Sequence, residues 1–75
     1  MLNTSEVEFA ARLAERTRKL RLERALSQQE LADRAELSRH VIMNLERGVR
    51  LARPSTVRKV ARALGVPLAE LTTAA

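Results

Sequence analysis

Residues 27–48 read SQQELADRAELSRHVIMNLERG, and the spacing inside this stretch leaves few folds open. Two segments each open with a serine, a residue type that accepts hydrogen bonds from the free N–H groups at a helix start. Each then carries apolar residues at helical spacing. The first segment is expected to run from after Ser27 to about Ala35, with Ser27 and Glu30 forming a capping box. The second is expected from after Ser38 to near Arg47, closed by Gly48 in a left-handed conformation. Two helices this short, joined by a turn of about three residues, cross steeply instead of lying antiparallel. Leu31 then faces the core, and Ala32 is small where the second helix must come close. Ala35 and Leu37 bracket the turn, and Ile42 and Leu45 bury the inner face of the second helix. Arg39, His40, Met43, Asn44 and Arg47 are left on its outer face.

The remaining chain also reads as helix. A long first helix is expected from about Glu6 to Arg24, with Ser5 and Glu8 as its capping box and Phe9, Leu13, Thr17 and Leu20 on one stripe. A fourth helix is expected from about Pro54 to Leu64, since proline at the first helical position loses no hydrogen bond. Its apolar face is Val57, Val60, Ala61 and Leu64, and Gly65 closes it. A short fifth helix follows from Pro67 to about Thr72, with Leu68 and Leu71 facing in. Strand signals, repeats and linkers are absent, so the reading is all-α: one domain over residues 1–75, built as a compact five-helix bundle.

Composition narrows the function. The chain has no cysteine, one histidine and one aromatic residue, Phe9. No disulfide, thiolate metal site or cofactor is therefore expected, and a stacking platform for single-stranded nucleic acid is missing. Neither a glycine-rich phosphate loop nor a Ser/His/Asp constellation is present, so catalysis is not expected. No apolar run is long enough for a signal sequence or a membrane span, which points to the cytoplasm. The formal charge is +5 and it is unevenly placed. Residues 1–38 hold seven basic and seven acidic residues. Residues 39–62 hold Arg39, Arg47, Arg50, Arg53, Arg58, Lys59 and Arg62 against Glu46 alone. A neutral half followed by a basic half suggests a polyanion partner read by the second half.

The stretch LRLERALSQQELADRAELSRHVIMNLERG, followed by RPSTVRKVARALGVPLAEL, resembles the Xre/Cro/phage-repressor family of helix-turn-helix DNA-binding proteins. The resemblance covers about residues 13–71, and the SQ-x-ELA opening, the S-R turn exit, the LERG ending and the ARALGV segment occur in order. It implies a lambda-repressor-like fold, with its helix-turn-helix at about residues 28–47 and a third helix that enters the major groove of double-stranded DNA. It implies base reading by Arg39, His40 and Asn44, and a phosphate contact by Gln28. Arg21 and Glu46 match a pair that forms an interhelical salt bridge in the family, with Arg21 also close to a phosphate.

Physical chemistry supports these roles. Arg39 can donate twice to guanine and Asn44 can pair with adenine, while Met43 offers an apolar contact to a thymine methyl. Ser38, beside the groove, and Arg47, Arg50 and Arg53, at or after the end of the third helix, are placed to meet phosphates and set salt dependence. Three departures from the family pattern stand out. Ala25 and Glu36 replace glycines at turns, and Thr17 stands where a leucine is usual, so its hydroxyl needs a partner such as a carbonyl one turn back. The loop over residues 48–53 is expected to be unusual in shape. Val7 and Phe9 extend the first helix and are expected to pack on the core.

A single third helix reads only about four or five base pairs, so a homodimer on an inverted repeat is expected, with the two copies about 34 Å apart. The family implies a cytoplasmic, nucleoid-associated regulator of bacterial or phage origin: a Cro-type repressor, an antitoxin-like autoregulator or a restriction–modification controller. The alternative is an adaptor that uses the same fold on a protein, such as a toxin or a polymerase subunit. An adaptor is expected to show apolar residues on the outer face of the third helix, where only Met43 qualifies.

Overall fold

The computed structural model describes residues 2–73. Five helices follow in order: α1 Thr4–Glu23, α2 Gln28–Ala35, α3 Arg39–Arg47, α4 Pro54–Leu64 and α5 Leu68–Thr72. No strand occurs among the described residues. Helix α3 packs on α1 and α2, α4 packs on α2 and α5, and α5 returns to α1. Leu13, Leu26, Leu31, Ile42, Val57, Val60, Leu64 and Leu71 form one shared apolar core between them.

Helices α2, α3 and α4 lie where their end signals place them. The Ser27 hydroxyl accepts from the Glu30 N–H and the Glu30 carboxylate from the Ser27 N–H, at 3.0 and 2.8 Å. The Ser27 N–H first, and then the Ser27 hydroxyl, hold the Glu30 carboxyl below its ordinary range. Helix α1 begins earlier than the sequence suggested. Asn3, not Ser5, is its cap: its side chain accepts from the Glu6 N–H at 2.9 Å, and Glu6 answers at 3.0 Å. Asparagine caps as well as serine does, and the earlier box adds two residues to the ladder.

Two apolar residues also sit differently from expectation. Leu71 is buried, but Leu68 is 43% exposed at the first position of α5, and Val7 is 49% exposed. Leu68 and Leu71 are on one side of α5, but Leu68 stands at the very start of this five-residue helix and only Leu71 reaches the core. Phe9 is partly buried against the core, with the Arg12 guanidinium 6.0 Å from its ring.

The helix ends carry the strain. Ala25 and Glu36 adopt left-handed conformations, at φ 53° and 58°. Each opens a Schellman turn, in which the following N–H reaches back to the helix: Leu26 to Arg21 O at 3.1 Å, and Leu37 to Ala32 O at 2.9 Å. A side chain in this region costs about 1 kcal/mol, which these bonds and the buried Leu26 offset. Gly48 ends α3 for a second reason besides its φ of 66°. A Cβ there would lie 3.0 Å from the Ala14 Cβ and 3.3 Å from the Ala10 carbonyl oxygen. The end of α3 therefore touches the α1 backbone, through two alanines and a glycine. Gly65 shares the positive φ but faces open space. Thr17 is fully buried and its hydroxyl has no hydrogen-bond partner, so the expected bond to a carbonyl one turn back is not made.

Two stability predictions follow from this packing. Gly48→Ala is expected to cost about 2–4 kcal/mol, strain plus clash, whereas Gly65→Ala costs about 1 kcal/mol, strain alone. Urea unfolding of the pair decides it, and equal losses would show that the α1–α3 approach is not tight. Thr17→Val keeps the shape and removes the unsatisfied hydroxyl. It is expected to raise stability by about 1 kcal/mol, and a lower melting temperature would reveal a partner for that hydroxyl.

Candidate nucleic-acid interface

The outer surface of α3 follows from which of its residues are buried. Ile42 and Leu45 enter the core, so residues half a turn away face solvent. Arg39, His40 and Arg47 are exposed, and Met43 and Asn44 are half-exposed beside them. The Ser38 hydroxyl accepts from the Val41 N–H at 3.2 Å, which fixes the start of the helix. Its own O–H stays free to donate outward.

A polar cluster lies on the flank of α3 nearest α1 and α2. The Arg21 Nε donates to Glu46 Oε2 at 2.7 Å, and its Nη2 donates to Oε1 at 2.9 Å. This is the bidentate geometry that makes arginine–carboxylate pairs strong and directional. A further Arg21 nitrogen, Nη1, donates to the Leu26 carbonyl at 2.9 Å, inside the α1–α2 turn. The hydrogen bond to Glu46 raises the Arg21 pKa above its ordinary value, against the opposing effect of burial. The side chains are only 10% and 5% exposed. All three Arg21 nitrogens thus donate beneath the surface, through three of the five N–H groups that a guanidinium carries. Its role is to hold α3 against α1.

Gln28 has a partner that the sequence did not suggest. Its side-chain amide does not point freely outward but donates to Glu46 Oε1 at 3.2 Å. It still offers a phosphate its second amide N–H and its backbone N–H, in the first turn of α2, where the helix leaves N–H groups unused.

The opposite flank is formed by the loop over residues 48–53. It folds back along α3, so that Asn44, Arg50 and Arg53 border one shallow hollow with Val41, Leu45, Leu51, Ala52 and Thr56. The loop therefore brings Arg50 and Arg53 beside the reading helix. Arg58, Lys59 and Arg62 are exposed on the outer face of α4. Among the described residues, no ion pair involves any of the seven cations of residues 39–62. Arg24 does structural work that the sequence did not suggest. Its Nε donates to the Leu64 carbonyl at 2.7 Å and so caps α4 from α1. Nothing in local spacing signals a bond across forty residues.

Residues 18–71 match the helix-turn-helix family HTH_3. The solved restriction-modification controller protein C.AhdI from Aeromonas hydrophila is 34% identical, with a TM-score of 0.79 over 83% of this chain and 94% of that one. The hypothetical transcription factor NHTF from Neisseria is also 34% identical, with a TM-score of 0.83 over 89% of this chain and 77% of that one. An HTH_3-family transcriptional regulator from Vibrio cholerae is 26% identical, with a TM-score of 0.83 over 88% of this chain but 37% of its own. No curated protein sequence matches the chain. No helix among the described residues is long and apolar enough to cross a membrane.

Removing one half of a largely buried ion pair leaves the other half uncompensated. Glu46→Ala is accordingly expected to cost about 3 kcal/mol, read as a fall in the urea midpoint. A loss below about 1 kcal/mol would mean that Arg21 finds water or another acceptor and that the pair does not hold α3.

Proposed function

The chain belongs to the helix-turn-helix family and is a DNA-binding transcriptional regulator; we propose that it acts as a homodimer on an inverted-repeat operator, with α3 in the major groove. The observation that carries this reading is the outer face of α3. Arg39, His40, Met43, Asn44 and Arg47 lie together on it, available to a ligand, while the opposite side of the helix is anchored in the core.

Arg39 and Asn44 supply sequence reading, to guanine and adenine respectively, each discriminating by about 1–3 kcal/mol against a wrong base. His40 donates to guanine or a phosphate, and Met43 meets a thymine methyl. Phosphates are met by the Gln28 backbone N–H, Ser38, Arg47, Arg50 and Arg53, which position the helix without choosing a sequence. One copy of α3 spans too few base pairs to bind usefully alone, which favours two-fold pairing. The likeness to C.AhdI extends over nearly the whole of that chain. That supports a restriction–modification controller over a Cro-type repressor or an antitoxin-like autoregulator. An adaptor role for this face is disfavoured, because Met43 is its one large apolar residue.

Selection of sites from a random duplex library at near-physiological salt tests the proposal. An inverted repeat is the expected product, and failure to enrich any sequence would sink it. Arg39→Ala is expected to relax preference at one base position per half-site. Arg50→Ala is expected to weaken all sequences alike and to reduce the salt slope by about one unit. If Arg39→Ala leaves the preference intact, the reading face has been misassigned.

A further inference from the structure

The side of α1 that faces away from the core carries more apolar surface than a solvent face needs. Val7 is 49% exposed and Leu22 56%, and Ala11, Glu15 and Arg18 are exposed between them. Single apolar residues are ordinary on a surface. These share one line. Steps of four, seven and four residues lead from Val7 through Ala11 and Arg18 to Leu22, which puts all four on one stripe of the helix. Ala11 keeps the middle of the stripe low, where it borders a shallow groove with Ala14, Leu22 and Gly48. Arg39, His40, Met43 and Asn44 do not line that groove.

The stripe has a symmetry that points to what covers it. Val7 and Leu22 lie equally far from the point between Ala14 and Glu15, and so do Ala11 and Arg18. Two copies of α1, laid antiparallel about a two-fold axis through that point, set each Val7 opposite the partner's Leu22. Each Arg18 then lies over the partner's Ala11. Helical side chains lean toward their own N-terminus, so Arg18 and the partner's Glu15 lean toward each other. An isologous interface makes every such contact twice. Among the described residues, neither Glu15 nor Arg18 makes an ion pair within its own chain. Net charge favours the same occupant. Residues 1–38 hold equal numbers of basic and acidic residues, so two copies meet here without the repulsion that their basic second halves would bring. We propose that this stripe of α1 is a self-association surface, covered by the α1 of a second copy in the antiparallel register that sets Val7 on Leu22. The contact needs no DNA and does not rest on the reading of α3. One pair of helices covers less than the about 800 Å² per partner of a stable interface, so the association is weak and concentration-dependent.

The lack of cysteine makes the register testable. Val7→Cys and Leu22→Cys chains are prepared separately, then oxidised alone and as an equal mixture. In the proposed register, two copies of the same position lie about 22 Å apart, far beyond the reach of a disulfide. The mixture is therefore expected to give the dimer linked from position 7 to position 22, and either variant alone to give none. Sedimentation of the unmodified chain across a concentration series should show its mass rising. Leu22→Glu is expected to raise the dissociation constant at least about tenfold, since a buried leucine is lost. Glu15→Arg or Arg18→Glu alone should weaken association, and the double variant should restore it. All these positions are exposed, and a thermal melt confirms that each variant is folded. Three results overturn the proposal: a mass that never rises, a crosslink between identical positions in place of the mixed one, or association that Leu22→Glu leaves unchanged. The last would mean that the copies meet through another surface. Every measurement is made without DNA, so its failure leaves the reading of α3 intact, and failure of operator selection leaves this contact intact.

Discussion

The bidentate pair between Arg21 and Glu46 is the constraint around which the rest of the protein is arranged. Apolar contacts through Ile42 and Leu45 hold α3 to the core, but they are non-directional and tolerate sliding. A guanidinium–carboxylate fork does not, because its two parallel bonds exist at only one orientation. Burying it demands desolvation, and a well-packed apolar pair in its place is often as stable or more so. Its contribution is therefore better understood as orientation than as stability. The third Arg21 donor, to the Leu26 carbonyl, ties the same side chain to the turn that launches α2. One residue thus fixes α1, the α1–α2 turn and α3 relative to one another.

The turns have to deliver the helices to that pair, and two of them do so under strain. Ala25 and Glu36 occupy backbone positions that glycine adopts without cost. Both are held there by Schellman bonds and by the apolar residue that follows, Leu26 or Leu37. At the far end of α3 the requirement is spatial. Gly48 sits against Ala10 and Ala14, so the end of the reading helix lies nearly on the α1 backbone. Both ends of α3 are thereby pinned, its start by Ser38 and its finish by contact.

Much of this was legible in the sequence where two signals agreed. Helices α3 and α4 each combine a start signal, an apolar stripe and a stop glycine, α2 has the first two, and all three lie where read. The start of α1 was misplaced because Asn3–Glu6 and Ser5–Glu8 are equally good boxes at two-residue spacing, and local rules cannot rank them. Leu68 was misplaced because a helix of five residues is too short for periodicity to mean anything. The Arg21–Glu46 pair came from resemblance rather than from spacing, since partners twenty-five residues apart leave no local trace. Gln28 shows the same limit from the other side. An amide at a helix start can serve a phosphate or a carboxylate equally well, and only the position of Glu46 decides which it reaches first.

The seven cations of α3, the following loop and α4 have a consequence that concerns approach rather than contact. With the first half of the chain neutral and the second half strongly basic, the molecule carries a permanent electric dipole. In the field around a duplex, such a body feels torque as well as attraction. It turns before it touches, and a large share of its collisions begin with the basic side inward. Random tumbling wastes most encounters between two surfaces that fit in only one orientation. Here the charge distribution acts as a rudder, and its effect fades as added salt shortens the reach of the field.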